Sequence, residues 1–321
     1  MQRQLTIIGA PTSIGIKPYD NGSARGLDQA PATLRRLRLA ARIGADDAGD
    51  VLPLPYRDFI RPPAGPRNEA EVLSYSLALA DRVATVIGSG RFPLVLGGDC
   101  SIVLGSLLGL RQAGRSRVGL AYIDGHADFA TPLESRTGSV ASMCLGLAVG
   151  RGDTPLARLG GDSPLVQPDD VALVGRRDEH EPWYGHEALH ASAVLDLPDA
   201  AVRSTSYGQI APLVLERIGR AELKGFWIHL DADVLDPAVM PAVDSPEPGG
   251  PNLRQLAELL VPLVRHPRAL GLELTIYDPM LDPDETCGKR LVELLEALVG
   301  EVRAEGAGLT SLPRAPGLDG A

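Results

Sequence analysis

Disulfides do not organise this chain. Its 321 residues include only three cysteines, Cys100, Cys144 and Cys287, widely spaced and with no C-x-x-C pair. That excludes a disulfide scaffold and fits a reducing cytoplasm. A basic surplus is also missing: 31 Lys and Arg stand against 41 Asp and Glu, a net charge of −10. Nucleic-acid binders need a basic footprint, so the overall charge argues against that class and leaves only a local basic patch open. No apolar run is long enough to cross a membrane. The stretch from Leu5 to Ile8 before Gly9 is too short for a signal-peptide core. There is no internal repeat and no low-complexity linker. What is present is ordinary globular composition, 44% apolar and 22% charged, which excludes global disorder. A chain of this size can bury roughly 75% of its unfolded surface. Its 36 glycines and 27 prolines imply many tight turns.

Short apolar runs alternate with helical periods. Strands are expected at Leu5–Ile8, Phe92–Leu96, Val118–Ile123, Val171–Val174, Phe226–Leu230 and Ala269–Leu274. Pro31 opens a helix through Leu34, Leu37 and Leu39 that ends near Gly44. Asn68 and Glu71 have the spacing of a capping box before a long amphipathic helix ending at Gly88. Further helices are expected at Ser101–Gln112, Gln209–Ile218, Leu253–Val264 and Lys289–Val302. Gly150–Asp170 reads as a surface loop. Strand–helix alternation along the whole length implies a parallel sheet with helices on both faces. One domain is expected over residues 1–305, followed by a loose C-terminal tail, 306–321.

In an open α/β sheet, ligands bind beyond the carboxyl ends of the strands. Three such ends carry chemistry: Gly97-Gly98-Asp99-Cys100-Ser101, Asp124-Gly125-His126-Ala127-Asp128 and Asp231-Ala232-Asp233. Asp99, just before a helix, reads equally as a helix cap or turn residue. Side chains alternate with period two, so Asp124, His126 and Asp128 point one way, and Asp231 and Asp233 do likewise. Converging carboxylates without nearby Lys or Arg repel one another, so a cation belongs among them. Carboxylates with one histidine suit a hard or borderline divalent ion such as Mn²⁺. There are more donors than one tetrahedral ion needs, which points to two bridged ions able to activate a shared water.

This constellation resembles the ureohydrolase family of arginase, agmatinase and formimidoylglutamase. The likeness also takes in Gly9-Ala10-Pro11, Ala30-Pro31-x-x-Leu34-Arg35, Gly175-Arg176-Arg177-Asp178, Asp231 through Pro237 and Ser245-Pro246-Glu247-Pro248-Gly249-Gly250. It implies a three-layer α/β/α sandwich with a mostly parallel sheet, two Mn²⁺ ions, a metal-bridging hydroxide that hydrolyses an amidine carbon, and a homotrimer or homohexamer. It further implies that Asp124 and Asp231 bridge the ions. Asp128 and Cys100 then complete one site, and His126 and Asp233 the other.

Three departures qualify the likeness. Cys100 stands where the family has a histidine ligand. Four aspartates and a thiolate carry one negative charge more than two divalent ions neutralise, and a soft ligand moves the preference toward Zn²⁺. The alternative for Cys100 is a buried thiol that binds nothing. Ala130 and Ala141 replace the family's asparagine and its proton-shuttling histidine, and Thr137 is left as a small hydroxyl contact. Ile276 replaces the glutamate that clamps a guanidinium. Asp244 is a candidate for the missing anion, with Ser245 beside it, or else a turn former. His180 and His186 are candidate proton carriers, or solvated loop residues. Asp178 and His180 are candidates for the substrate's far end. His229 reads as a core or supporting histidine rather than a ligand. Cys144 and Cys287 read as small apolar groups. The expectation is a cytoplasmic dinuclear hydrolase cleaving a C–N bond in a small amidine- or guanidine-like molecule other than free arginine, with neither nucleic acid nor membrane as partner. A metal-dependent amide deacylase and a metal-binding pseudoenzyme are the alternatives.

Overall fold

The computed structural model describes residues 4–300. In chain order the elements are β1 (Leu5–Ala10), α1 (Ala30–Arg36), α2 (Leu39–Ile43), β2 (Asp46–Asp50), α3 (Glu69–Gly88), β3 (Phe92–Gly97) and α4 (Ile102–Gln112). There follow β4 (Gly119–Ile123), α5 (Cys144–Ala148), β5 (Val171–Val174), α6 (His186–His190), β6 (Leu195–Leu197), α7 (Asp199–Thr205) and α8 (Tyr207–Ile218). The chain continues through β7 (Phe226–Asp231), α9 (Leu253–Val264), β8 (Ala269–Thr275) and α10 (Thr286–Val299). The expected tail at 306–321 and the last residues of the helix expected at Lys289–Val302 lie outside the described residues.

All eight strands form one sheet in the order β2-β1-β3-β8-β7-β4-β5-β6, and every pair is parallel. Helices α3 and α4 pack together in one layer, and α8, α9 and α10 in the other. The expected α/β/α sandwich is what the chain forms. Strands β3, β4, β5 and β7 are buried along their whole length. Covered faces on both sides explain why they read as continuous apolar runs rather than alternating ones. Helix α4 approaches α3 so closely that a Cβ on Gly109 would stand 2.7 Å from the Ala80 carbonyl.

Several local expectations are corrected. The helix expected from Pro31 to Gly44 is two helices, because Arg38 takes a left-handed φ of 64° between them. Asn68 does not cap α3. Its backbone is left-handed, its Oδ1 accepts from the Arg57 and Asp58 amides, and its Nδ2 donates to Ile14 O, so it ties a loop down instead. Two edge strands were not legible. Strand β2 reads Asp-Asp-Ala-Gly-Asp and has no apolar alternation; Arg35 clamps its Asp47 and Asp50. Strand β6 has only three residues. Charged or very short edges discourage pairing with other chains.

Candidate metal centre

The carboxyl ends of the four central strands, β3, β8, β7 and β4, meet at one cavity of about 70 Å³. Each strand delivers its group for a local reason. Beyond β3 the chain turns at Gly98, where a Cβ would stand 2.1 Å from Thr12 O, so the turn takes glycine alone. That turn carries Cys100 inward. Asp99 faces away and accepts from the Gly15 and Ser101 amides, so it holds the turn and does not line the cavity. Asp124 follows β4, and its Oδ1 accepts from the His126 amide, which fixes the loop. Asp231 ends β7 and accepts from the Asp233 amide in the same way.

The result is two overlapping groups of donors. Asp124, His126 and Asp233 form one, and Cys100, Asp124, His229 and Asp231 form the other, with the ligand atoms of each within 4.8 Å of one another. The Cys100 thiol lies 2.8 Å from Asp231 Oδ2. His126 Nδ1 lies 3.0 Å from Asp233 Oδ2 and 3.6 Å from Asp124 Oδ1. All of these residues are at most 5% exposed.

Such crowding makes charge expensive. Burial first, then Asp233 and Asp124, pushes the Asp231 carboxyl well above the usual range. Burial and Asp233 raise Asp124 as well. Burial and Asp231 push the Cys100 thiol far up. Burial works in the same upward direction on Asp233, but nearby His126 outweighs it and holds that carboxyl low. Burial opposes charge on His126, yet Asp233 overcomes this and raises it well above an ordinary histidine. His126 balances part of this acid cluster from within the cavity, and Arg177 also favours the charged form of Asp233. Asp124 Oδ2 and His229 Nε2 are both buried with no hydrogen-bond partner. Orphaned acceptors in a set of carboxylates, imidazoles and a thiol are what a divalent cation satisfies, so the donor set fits metal.

Asp128 lines the cavity but stands apart from both donor groups. Its Oδ2 accepts from the Tyr122 hydroxyl at 2.6 Å, and its backbone is left-handed, with φ 46°. Thr137, Asp244 and Ser245 also line the cavity, with Lys17, Ala141 and Ile276. Asp244 is already engaged: Oδ1 pairs with Arg25 and Oδ2 accepts from Ser245 Oγ at 3.1 Å. Thr137 Oγ1 accepts from the Ser139 amide. Asp178, His180 and His186 do not line the cavity. Asp178 is fully buried and accepts from the Ala127 amide at 2.8 Å, so it braces the loop between His126 and Asp128. The His180 side chain is 59% exposed, 3.5 Å from Glu247. His186 lies behind Tyr184, with Nε2 3.1 Å from Asp178.

A family model described as the arginase family matches residues 3–299. The chain belongs to the arginase family. An arginase of Bacillus subtilis (strain 168) is 29% identical over 308 residues, covering 94% of this chain and 99% of that one. The solved arginase of Bacillus caldovelox superposes with a TM-score of 0.82 at 28% identity, over 93% of this chain and 99% of its own. The proclavaminate amidino hydrolase of Streptomyces clavuligerus shares the fold, with a TM-score of 0.67 at 20% identity over 92% of this chain and 90% of its own. Members of the arginase family hydrolyse C–N bonds, and this member has a buried cluster able to hold metal.

Two supporting groups of this arginase-family site were only partly legible in the sequence, which marked His229 as a core or supporting histidine but not its partners. Arg177 donates to the carbonyls of Asp233, Val234 and Leu235 at 2.7, 3.0 and 3.2 Å, fixing the loop that presents Asp233. Tyr122, His229 and Glu273 are register partners on β4, β7 and β8, so they form one row just below the metal cluster. Arg177 had no signal beyond its place in the Gly-Arg-Arg-Asp motif. The row had one: Tyr122 and His229 each stand two residues before a cluster aspartate.

Proposed function

We propose that this protein is a dinuclear metal-dependent hydrolase that cleaves a C–N bond in a small amidine- or guanidine-like molecule other than free arginine. The observation that supports it best is the pair of overlapping donor groups sharing Asp124, buried and with an orphaned carboxylate oxygen. Cys100, Asp124, His126, Asp231 and Asp233 would hold two divalent ions, Mn²⁺ or, because of the thiol, Zn²⁺. Bound there, the ions supply Lewis acidity and lower the pKa of water. The remaining roles fall to side chains of the cavity wall. Asp128, steadied by Tyr122, accepts from an N–H of the substrate. The hydroxyls of Thr137 and Ser245 orient its polar atoms, and Lys17 meets its far end at the rim. Tyr184 stacks on His126 with ring centroids 5.3 Å apart and closes one side against water.

The exclusion of free arginine rests on Ile276 and Asp244. Ile276 brings an apolar wall where a guanidinium needs an acceptor, and Asp244 is paired with Arg25. The same observation favours a second reading, a metal-dependent amide deacylase, since a neutral amide needs no carboxylate clamp. One experiment separates these readings. Protein loaded with Mn²⁺ or Zn²⁺ is assayed against guanidines, amidines and acyl amides for release of urea, ammonia or amine, with Asp124→Ala as control. Turnover of an amidine or a substituted guanidine, lost together with the metal in Asp124→Ala, is expected. Acyl-amide turnover alone establishes the deacylase. Zero bound metal, or metal without any C–N cleavage, overturns the enzyme assignment.

A further inference from the structure

We infer that His229 is a metal ligand, completing with Cys100, Asp124 and Asp231 a closed four-donor site suited to Zn²⁺, while Asp124, shared between the two, forms with His126 and Asp233 a second, open site. This rests on the metal-centre reading above and adds His229 where the family resemblance places Asp128.

His229 is fully buried, two residues before Asp231 on β7, and therefore on the same face of the strand. Its ring is fixed from two sides. Nδ1 lies 2.7 Å from Glu273 Oε1, and Glu273 Oε2 accepts from Ser106 Oγ at 2.6 Å. A carboxylate only accepts, so Nδ1 carries the proton and Nε2 presents a lone pair. The Tyr122 ring stacks on the imidazole at 4.2 Å, only 14° from parallel. Nε2 then points at the cluster with no partner of its own, 3.9 Å from the likewise unpartnered Asp124 Oδ2. That gap is too long for a hydrogen bond. It lies within the span of two donors that each stand about 2 Å from one ion. A carboxylate that orients a histidine whose other nitrogen is free is the usual support of a metal-ligating imidazole.

The row also explains why Asp128 stands aside. Tyr122 stacks on His229 through its ring and takes Asp128 Oδ2 with its hydroxyl. One side chain thus favours the imidazole and holds the carboxylate back. A thiolate, an imidazole and two carboxylates match Zn²⁺ and fill a tetrahedral shell, as in sites that hold metal without exchanging a ligand. The other group has three donors and keeps a position open for water or substrate.

The test uses the full chain, stripped of metal and titrated with Zn²⁺ or Co²⁺. Wild type is expected to take up two ions, one lost to dialysis against a chelator and one retained. The retained Co²⁺ carries a thiolate-to-metal charge-transfer band. His229→Gln and Cys100→Ser weaken the retained ion by at least about 100-fold, and Glu273→Gln by about 10–100-fold. Asp128→Asn leaves it in place. Should His229→Gln fail to fold by circular dichroism, X-ray absorption of the one-Zn²⁺ wild type decides the question, with one sulfur and one imidazole expected around the ion. Sulfur scattering without imidazole, or loss of the retained ion in Asp128→Asn but not in His229→Gln, overturns the assignment and leaves the hydrolase reading intact. Absence of metal binding by wild type overturns both.

Discussion

Replacing Ile276 by glutamate tests the substrate argument at its narrowest point. Ile276 lies in the wall of the metal cavity, 3% exposed, and its amide donates to Gly98 O at 2.9 Å. It follows β8, at the position where the family resemblance implies a carboxylate that clamps a guanidinium. An unpaired buried charge costs about 3–5 kcal/mol, equivalent to roughly 10²–10⁴ in kcat/KM. The nearest candidate to relieve that cost, Asp244, is occupied by Arg25. Ala141 removes a proton carrier as well, a further ~10²–10⁴. Free arginine should therefore give urea close to the detection floor in the wild type. Ile276→Glu should raise kcat/KM for arginine by about 10² or more, and the enzyme should still fall well short of ordinary rates because Ala141 is unchanged. The backbone adds a second effect. Ile276 has φ 66°, a left-handed value that a β-branched residue rarely adopts and that costs of order 1–3 kcal/mol. Glutamate is unbranched at Cβ and relieves part of that strain, but it adds a carboxylate to an acid cluster, so the variant should melt lower without metal and recover on loading. Urea release with Mn²⁺- and Zn²⁺-loaded protein is the assay. Wild-type turnover of arginine above about 10 s⁻¹, or an unchanged kcat/KM in Ile276→Glu, would refute the reasoning.

The remaining predictions concern the metal loops and one edge. Cys100→His removes a thiolate and should move metal preference from Zn²⁺ toward Mn²⁺ in competition titrations; unchanged selectivity would mean that the thiol does not ligate. Arg177→Lys replaces a planar fork holding five backbone carbonyls by a point charge, and should weaken the ion bound through Asp233 by about 10–100-fold with little change in secondary structure. Equal metal isotherms for the two proteins would count against that role. At the β2 edge, hydrogen bonding to Arg35 holds the Asp47 carboxyl below its ordinary value. A carboxyl lowered by folding stabilises above its unfolded pKa of about 4 and loses that contribution as pH falls through the folded value. Wild-type Tm should therefore drop more steeply than that of Arg35→Ala between about pH 5 and pH 3, and parallel Tm profiles would contradict the pairing.

The sequence by itself determined the sandwich and the place of its chemistry. Predominantly apolar strands such as β4 and β7 are written for burial on both faces, and the aspartate pairs stand at their carboxyl ends, where a parallel sheet binds ligands. The period-two spacing put Asp124 with His126, and Asp231 with Asp233, before any coordinates. Edge strand β2 was illegible because its Asp-rich run has no apolar pattern, and the break at Arg38 because nothing local marks a left-handed residue there. Only the tertiary structure decided which donors meet. Asp128 follows the motif and lines the cavity, and its Oδ2 accepts from the Tyr122 hydroxyl of β4. Asp178 lies outside the cavity lining, where its Oδ2 accepts from the Ala127 amide and braces the loop between His126 and Asp128. Asp244 is unassigned in sequence, and Arg25 claims it from 219 residues away. His229 read as a core or supporting histidine on its strand, with no sign of which groups it meets. Parallel register set Tyr122 on one side of it and Glu273 on the other, and side chains from three separate strands cannot be put in one row from the order of residues alone.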